Sequence, residues 1–144
     1  MSKSSLANLL AFSGTIPFVM PIVLNALNVD VLGLGLDYQR IVFTYAAIIA
    51  SFMAGIHWAF AMQDNHSLRL FIECNVVALS AWFALLWYSP HSLLIFIACF
   101  VFLLAIDLRL VKAGLLEDWY ISMRKKITII VVVSLFGFWV PFLI

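Results

Sequence analysis

Five uninterrupted apolar runs, each close to the roughly 20 helical residues that cross the hydrocarbon core of a bilayer, leave this chain little choice of solvent. They cover residues 6–27, 41–62, 70–88, 92–111 and 127–143. The runs are continuous rather than alternating, which favours helices: a backbone facing lipid must satisfy its own hydrogen bonds, and a barrel strand would show a period of two. Composition points the same way. Of 144 residues, 66% are hydrophobic and 10% charged, whereas a water-soluble domain carries roughly a quarter charged residues. A soluble fold of this length lacks the interior to hide so much apolar surface. The expectation is an all-α, polytopic membrane helix bundle of five transmembrane helices, one domain over residues 1–144, with no internal repeat.

The loops between the runs alternate between two sides, and the basic residues choose one of them. Lys3, Arg69, Arg109, Lys112, Arg124, Lys125 and Lys126 fall on the side of the N-terminus, and Arg40 alone falls on the other. By the positive-inside rule the first side is the cytoplasm of a bacterium, or the matrix of a mitochondrion. This predicts a multi-pass protein of the bacterial inner (cytoplasmic) membrane, with the N-terminus in the cytoplasm and the C-terminus in the periplasm. Trp and Tyr, which favour the interface, mark both boundaries, with Tyr38, Trp87, Tyr88 and Trp139 on the outer side and Trp58, Trp119 and Tyr120 on the inner, leaving Trp82 and Tyr45 as deeper exceptions. No small-x-small cleavage site ends the first run, so it reads as a span rather than a signal peptide. A net charge of +1 with no basic domain argues against nucleic acid as a partner.

Four ionisable residues, His57, Glu73, Asp107 and Arg109, fall within about two helical turns of the inner boundary. Such groups in a membrane segment face the bundle interior and pair with each other or with water, so a shared polar cluster that also draws in Arg124 is one reading. The other is that all four lie at the headgroup boundary. Asp107 and Arg109 are two residues apart and point to different faces: Arg109 is expected to snorkel outward and Asp107 to turn inward, toward Arg124 or Lys125. Arg124, Lys125 and Lys126 form a basic cluster suited to anionic headgroups. The polar stretch 112–126 that ends in them is expected to include a short interfacial segment around Glu117, Asp118, Trp119 and Tyr120.

His57 shares its helix face with Ala46, Ala50, Ala54 and Ala61. It reads first as a satisfied core histidine; proton handling or ligand binding is the competing reading, and metal or haem ligation would need a second strong ligand that His66 and His91 do not offer. No metal and no cofactor are expected. Beside that face, Ala47, Ser51, Gly55 and Ala59 make a small-xxx-small stripe suited to close helix packing. Cys74 and Cys99 differ by about 9 Å in depth by helical rise, too far for a disulfide, and read as buried thiols. Pro17 and Pro21 deprive Ser13 and Pro17 carbonyls of their donors and predict a kink in the first helix. Gly33 and Gly35 lack the context of a nucleotide fingerprint and read as a turn.

Two motifs add a family likeness: Ala54-Gly55-Ile56-His57-Trp58 in the second run, and Asp118-Trp119-Tyr120 with Met123-Arg124 and Ile127-Thr128 leading into the last. In this order and over this length the chain resembles domain-of-unknown-function family 3429, small proteobacterial inner-membrane proteins similar to mitochondrial transmembrane protein 69. The resemblance implies a multi-pass inner-membrane protein and supplies no catalytic residue.

No nucleophile, base and acid set has the context of an active site, so the chain is not expected to be an enzyme. The leading functional expectation is a non-enzymatic accessory or scaffold protein that binds lipid, a membrane protein complex or further copies of itself. The alternative is a small oligomeric transporter or proton-coupled permease, with His57, Glu73 and Asp107 lining a polar half-channel.

Overall fold

The computed structural model describes residues 3–27, 29, 37–63 and 68–140. Every regular element among them is a helix: α1 (Lys3–Ser13), α2 (Ile16–Ala26), α3 (Tyr38–Gln63), α4 (Leu68–Trp87), α5 (Ser92–Lys112) and α6 (Asp118–Trp139). The turn expected at Gly33 and Gly35, and the loop histidine His66, lie outside the described residues.

The first expected span is broken more sharply than a kink. Pro17 has no N–H to give the Ser13 carbonyl, and the helix stops one turn earlier, at a Gly14-Thr15 turn closed by Gly14 N–H to Leu10 O (3.0 Å) and Thr15 N–H to Phe12 O (3.0 Å). The Thr15 hydroxyl also donates to Phe12 O at 2.7 Å. Pro17 then sits in the first turn of α2, where a missing donor costs nothing. Pro21 stays inside α2 and is buried.

Four stretches among the described residues are long and apolar enough to cross a membrane: Ser4–Ala26, which is α1 and α2 together, Tyr38–Gln63, Leu68–Trp87 and Ser92–Lys112. The fifth expected span is not among them. α6 starts at Asp118, and every eighteen-residue stretch of it up to Trp139 holds at least three of Asp118, Arg124, Lys125 and Lys126. The short segment expected around Glu117, Asp118, Trp119 and Tyr120 is not a separate element: residues 118–126 are the first turns of α6, and only 113–117 link it to α5. That link is short because Gly114, at φ +74°, adopts the left-handed conformation that ends α5, with Gly114 N–H bonded to Val111 O (2.9 Å) and Leu115 N–H to Leu110 O (3.0 Å).

α3 packs against α2, α4 and α5, while α5 packs against α3, α4 and α6. Small residues let α3 approach: Ala46, Ala50, Ala54 and Ala61 are all buried, as the His57 face requires. Large rings fill the gaps on either side. Phe18 of α2 meets Tyr45 edge-on at 5.1 Å and Phe100 at 5.7 Å; Phe43 of α3 meets Phe96 at 5.6 Å and Tyr88 at 5.3 Å. Each such pair is worth about 0.5–1.5 kcal/mol beyond its area. The two cysteines are free and buried.

Outward faces are apolar. α4 alone exposes Ile72, Val76, Leu79, Phe83 and Leu86 at alternating four- and three-residue spacing, a stripe that water would oppose and lipid accepts. The small stripe of α3 points the same way. Ala47 is buried, but Ser51, Gly55 and Ala59 are exposed, and a Cβ added to Gly55 would meet nothing within 4 Å. Among the described residues the stripe therefore packs on no helix beyond Ala47, because α4 and α5 take the neighbouring face.

Candidate functional site

Three helices bring one polar side chain each to the same buried point. α3 supplies His57, α5 Asp107 and α6 Arg124; the first two are wholly buried and Arg124 is 6% exposed. Asp107 accepts on both oxygens, from His57 Nε2 at 2.7 Å on Oδ1 and from Arg124 Nε at 2.8 Å on Oδ2. Since a carboxylate can only accept, the imidazole proton of the neutral ring is on Nε2. His57 Nδ1 is buried with no partner among the described residues. Asp107 and Arg124 are opposite charges in contact, which offsets the cost of burying either one.

The inward turn of Asp107 toward Arg124 is as expected, and the expectation for Arg124 as a headgroup residue is corrected. Its guanidinium is engaged inside the bundle, because α6 packs along α5 and brings Arg124 to Asp107. Lys125 and Lys126, one and two positions on, are exposed.

Glu73 and Arg109 belong to a second cluster. Glu73 accepts from Arg69 Nε at 2.8 Å, one helical turn earlier on α4, and from Arg109 Nη2 of α5. Arg109 does reach outward, its side chain 41% exposed, but it does so along Glu73, and Arg69 is 79% exposed. The four residues at common depth thus divide: His57 and Asp107 join Arg124 inside the bundle, while Glu73 and Arg109 join Arg69 at its edge. Arg69 carries a readable signal, the i, i+4 spacing to Glu73. Among the described residues no three His, Cys, Asp or Glu side chains come together in a way that could hold a metal ion.

Beside the inner cluster lies a cavity of about 490 Å³ between α1, α2, α3, α5 and α6. Its wall is mostly apolar, with Leu10, Phe18, Ile49, Phe52, Phe100 and Val131 prominent. Arg124 and Thr128 are also part of it. Each carries a buried polar atom without a partner among the described residues, Arg124 Nη2 and Thr128 Oγ1. The break between α1 and α2 shapes the far wall: Tyr45 donates its hydroxyl to Gly14 O at 2.9 Å. A Cβ on Gly14 would sit 3.3 Å from Ala11 O, a tight contact, and 3.7 Å from that hydroxyl, an ordinary one.

On the opposite side of the bundle Asp37 ties two helices. Its Oδ1 caps α3 by accepting from Arg40 N–H at 3.1 Å, and its Oδ2 accepts from the Tyr88 hydroxyl at the end of α4. Tyr88, at φ 45°, has left the helix, so α4 ends at Trp87 and not at 88 as the apolar run suggested.

A family model described as "Protein of unknown function (DUF3429)" matches residues 4–140. The chain is similar to transmembrane protein 69 of Xenopus tropicalis, 28% identical over 136 residues, which are 89% of this chain and 51% of the relative. The chain therefore spans about half the length of the curated relative it matches. No solved structure matches it.

Proposed function

Since this chain belongs to the DUF3429 family of proteins of unknown function, we propose that it is a non-enzymatic accessory protein of the bacterial inner membrane that binds a lipid-like ligand between its helices. The observation that carries this reading is the 490 Å³ cavity, apolar along most of its wall, with Arg124 and Thr128 at one part of it. Pockets of about 300–1,000 Å³ with an apolar lining and a few placed polar groups are the usual form of small-molecule sites. The all-helical membrane fold and the likeness to transmembrane protein 69 support membrane placement. The distribution of Lys and Arg supports an N-terminus in the cytoplasm. A fifth crossing is part of the reading: the apolar run that begins in α6 continues in the sequence to residue 143, and a crossing there would put the C-terminus in the periplasm.

The test is purification of the full chain from its native membrane in mild detergent, followed by native mass spectrometry. A stoichiometric lipid-like mass on the protein is expected. A chain that flies bare, whose detergent extract yields no retained lipid, would overturn the reading. Topology is checked by reporter fusions: activity from opposite compartments at residues 1 and 144 is expected, and the same compartment for both removes the fifth crossing.

The contact between His57 and Asp107 favours a second reading, a proton-coupled permease in an oligomer. Against it, the third group that such a half-channel uses, Glu73, is clamped by two arginines. A wild-type chain that moves no proton in liposomes excludes it.

A further inference from the structure

The chemistry around Arg124 narrows the ligand, and the inference rests on the cavity-binding reading above. Arg124 spends its Nε on Asp107 Oδ2 at 2.8 Å, which leaves Nη2 buried and unpartnered among the described residues. One helical turn along α6, Thr128 is 4% exposed and its Oγ1 is likewise unpartnered. Two unused polar atoms four residues apart on the same face of one helix, both on residues of the cavity wall, are costly in hydrocarbon unless something accepts from them.

Charge decides what that acceptor is. Asp107 already neutralises Arg124, and His57 donates to Asp107 with its Nδ1 bare, so the cluster is balanced before any ligand arrives. A carboxylate or phosphate added here would bury one uncompensated negative charge; a cation would meet the guanidinium. A neutral oxygen with lone pairs can accept from either donor and leaves the balance untouched. The remaining wall, including Phe18, Ile49, Phe100 and Val131, asks for an apolar body.

We infer that the cavity takes an uncharged amphiphile whose carbonyl oxygen accepts hydrogen bonds from Arg124 and Thr128, its hydrocarbon portion lying against α2, α3 and α5. Two sources in a membrane present that chemistry, the ester carbonyl of an acyl lipid and the ring carbonyl of an alkylated quinone.

Four probes of similar size separate the possibilities: methyl dodecanoate, a decyl-substituted benzoquinone, dodecanoate and dodecane. Each is equilibrated with the full-length chain in detergent and the bound fraction is read by native mass spectrometry, for wild type and for T128V and T128S. The ester or the quinone should bind more tightly than dodecane, and whichever of the two is tighter names the source. T128V should weaken the carbonyl probes about fivefold, the effect of one neutral hydrogen bond, while leaving dodecane unchanged; T128S, which keeps the hydroxyl, should retain the preference. Equal binding of dodecane and the carbonyl probes, or a T128V variant that binds them as wild type does, overturns the carbonyl inference and leaves the cavity reading standing. Tightest binding of dodecanoate overturns the neutrality of the ligand. Failure of all four probes on a folded chain removes the ligand-binding cavity itself, and the inference with it.

Discussion

Asp107 of α5 accepts the Nε–H of Arg124 of α6 at 2.8 Å, in a bundle that leaves 0% of the acid and 7% of the arginine side chain exposed. A pair so enclosed contributes less than its Coulomb attraction suggests, because both ions have given up their solvation; severing it is another matter, since the survivor is left charged and alone. D107L and R124M should each therefore lower stability by about 3–5 kcal/mol, whereas the two together should bring it back to within about 2 kcal/mol of wild type. Unfolding in mixed micelles, followed by tryptophan fluorescence, measures the cycle. Additive losses from the two single changes would show that the residues do not act as a pair.

His57 is tied to the same carboxylate by one hydrogen bond, from Nε2 at 2.7 Å. H57L removes a donor to an ionised group and should cost about 1–3 kcal/mol. H57Q offers an amide N–H at a similar reach and should recover part of that loss. Equal destabilisation by both would mean that ring shape, and not the bond to Asp107, holds α3 in place.

Glu73 looks as heavily paired as Asp107, yet its partners are open to their surroundings, Arg69 at 79% and Arg109 at 41%. Exposed ion pairs contribute about 0–1 kcal/mol. E73Q should stay within that range by the same micelle unfolding, and should lose what effect it has at high salt. A loss of several kcal/mol that salt does not touch would place Glu73 in a drier setting than its arginines indicate.

Tyr88, beyond the end of α4, has its phenol pushed up from 10.0 to about 12, by burial first and by the adjoining Asp37 carboxylate second. A phenol held above its unfolded value favours the folded state while it keeps its proton. That contribution is whole below about pH 10 and disappears as pH climbs through about 12. Tyrosinate absorbance should include a late-ionising step whose amplitude falls by one tyrosine in Y88F. Replacing Asp37 with Asn should move the step down.

Much of the fold could be read from sequence because its cause is local. Twenty apolar residues in a row name a helix and its solvent, and alanines at three- and four-residue spacing around His57 named the buried face of α3 correctly. Asp107 was assigned inward and toward Arg124 from the two-residue offset to Arg109. What escaped depends on neighbours. Arg124 belongs to a basic run that reads as a headgroup anchor until α6 is seen to begin at Asp118 and to lie along α5. Ser51, Gly55 and Ala59 have the spacing of a packing motif, but α4 and α5 occupy the adjacent face and the motif looks outward. The orphan hydroxyl of Thr128 has no signature of its own, since a threonine in an apolar helix is as often bonded to its own backbone. Pro17 announced an interruption; it falls ahead of the proline, at the Gly14-Thr15 turn, whose Gly14 carbonyl accepts from Tyr45 of α3.

The cluster of His57, Asp107 and Arg124 also ties the last two helices into one unit. Asp107 and Arg124 are seventeen residues apart on either side of the 113–117 link, so α5 and α6 carry acid and base as one hairpin and present hydrocarbon with a pair rather than two separate ions. A chain cut after Lys112 would keep His57 as the partner of Asp107 and lose its cation, so the hairpin, and not either helix alone, is the smallest unit that carries this acid at low cost.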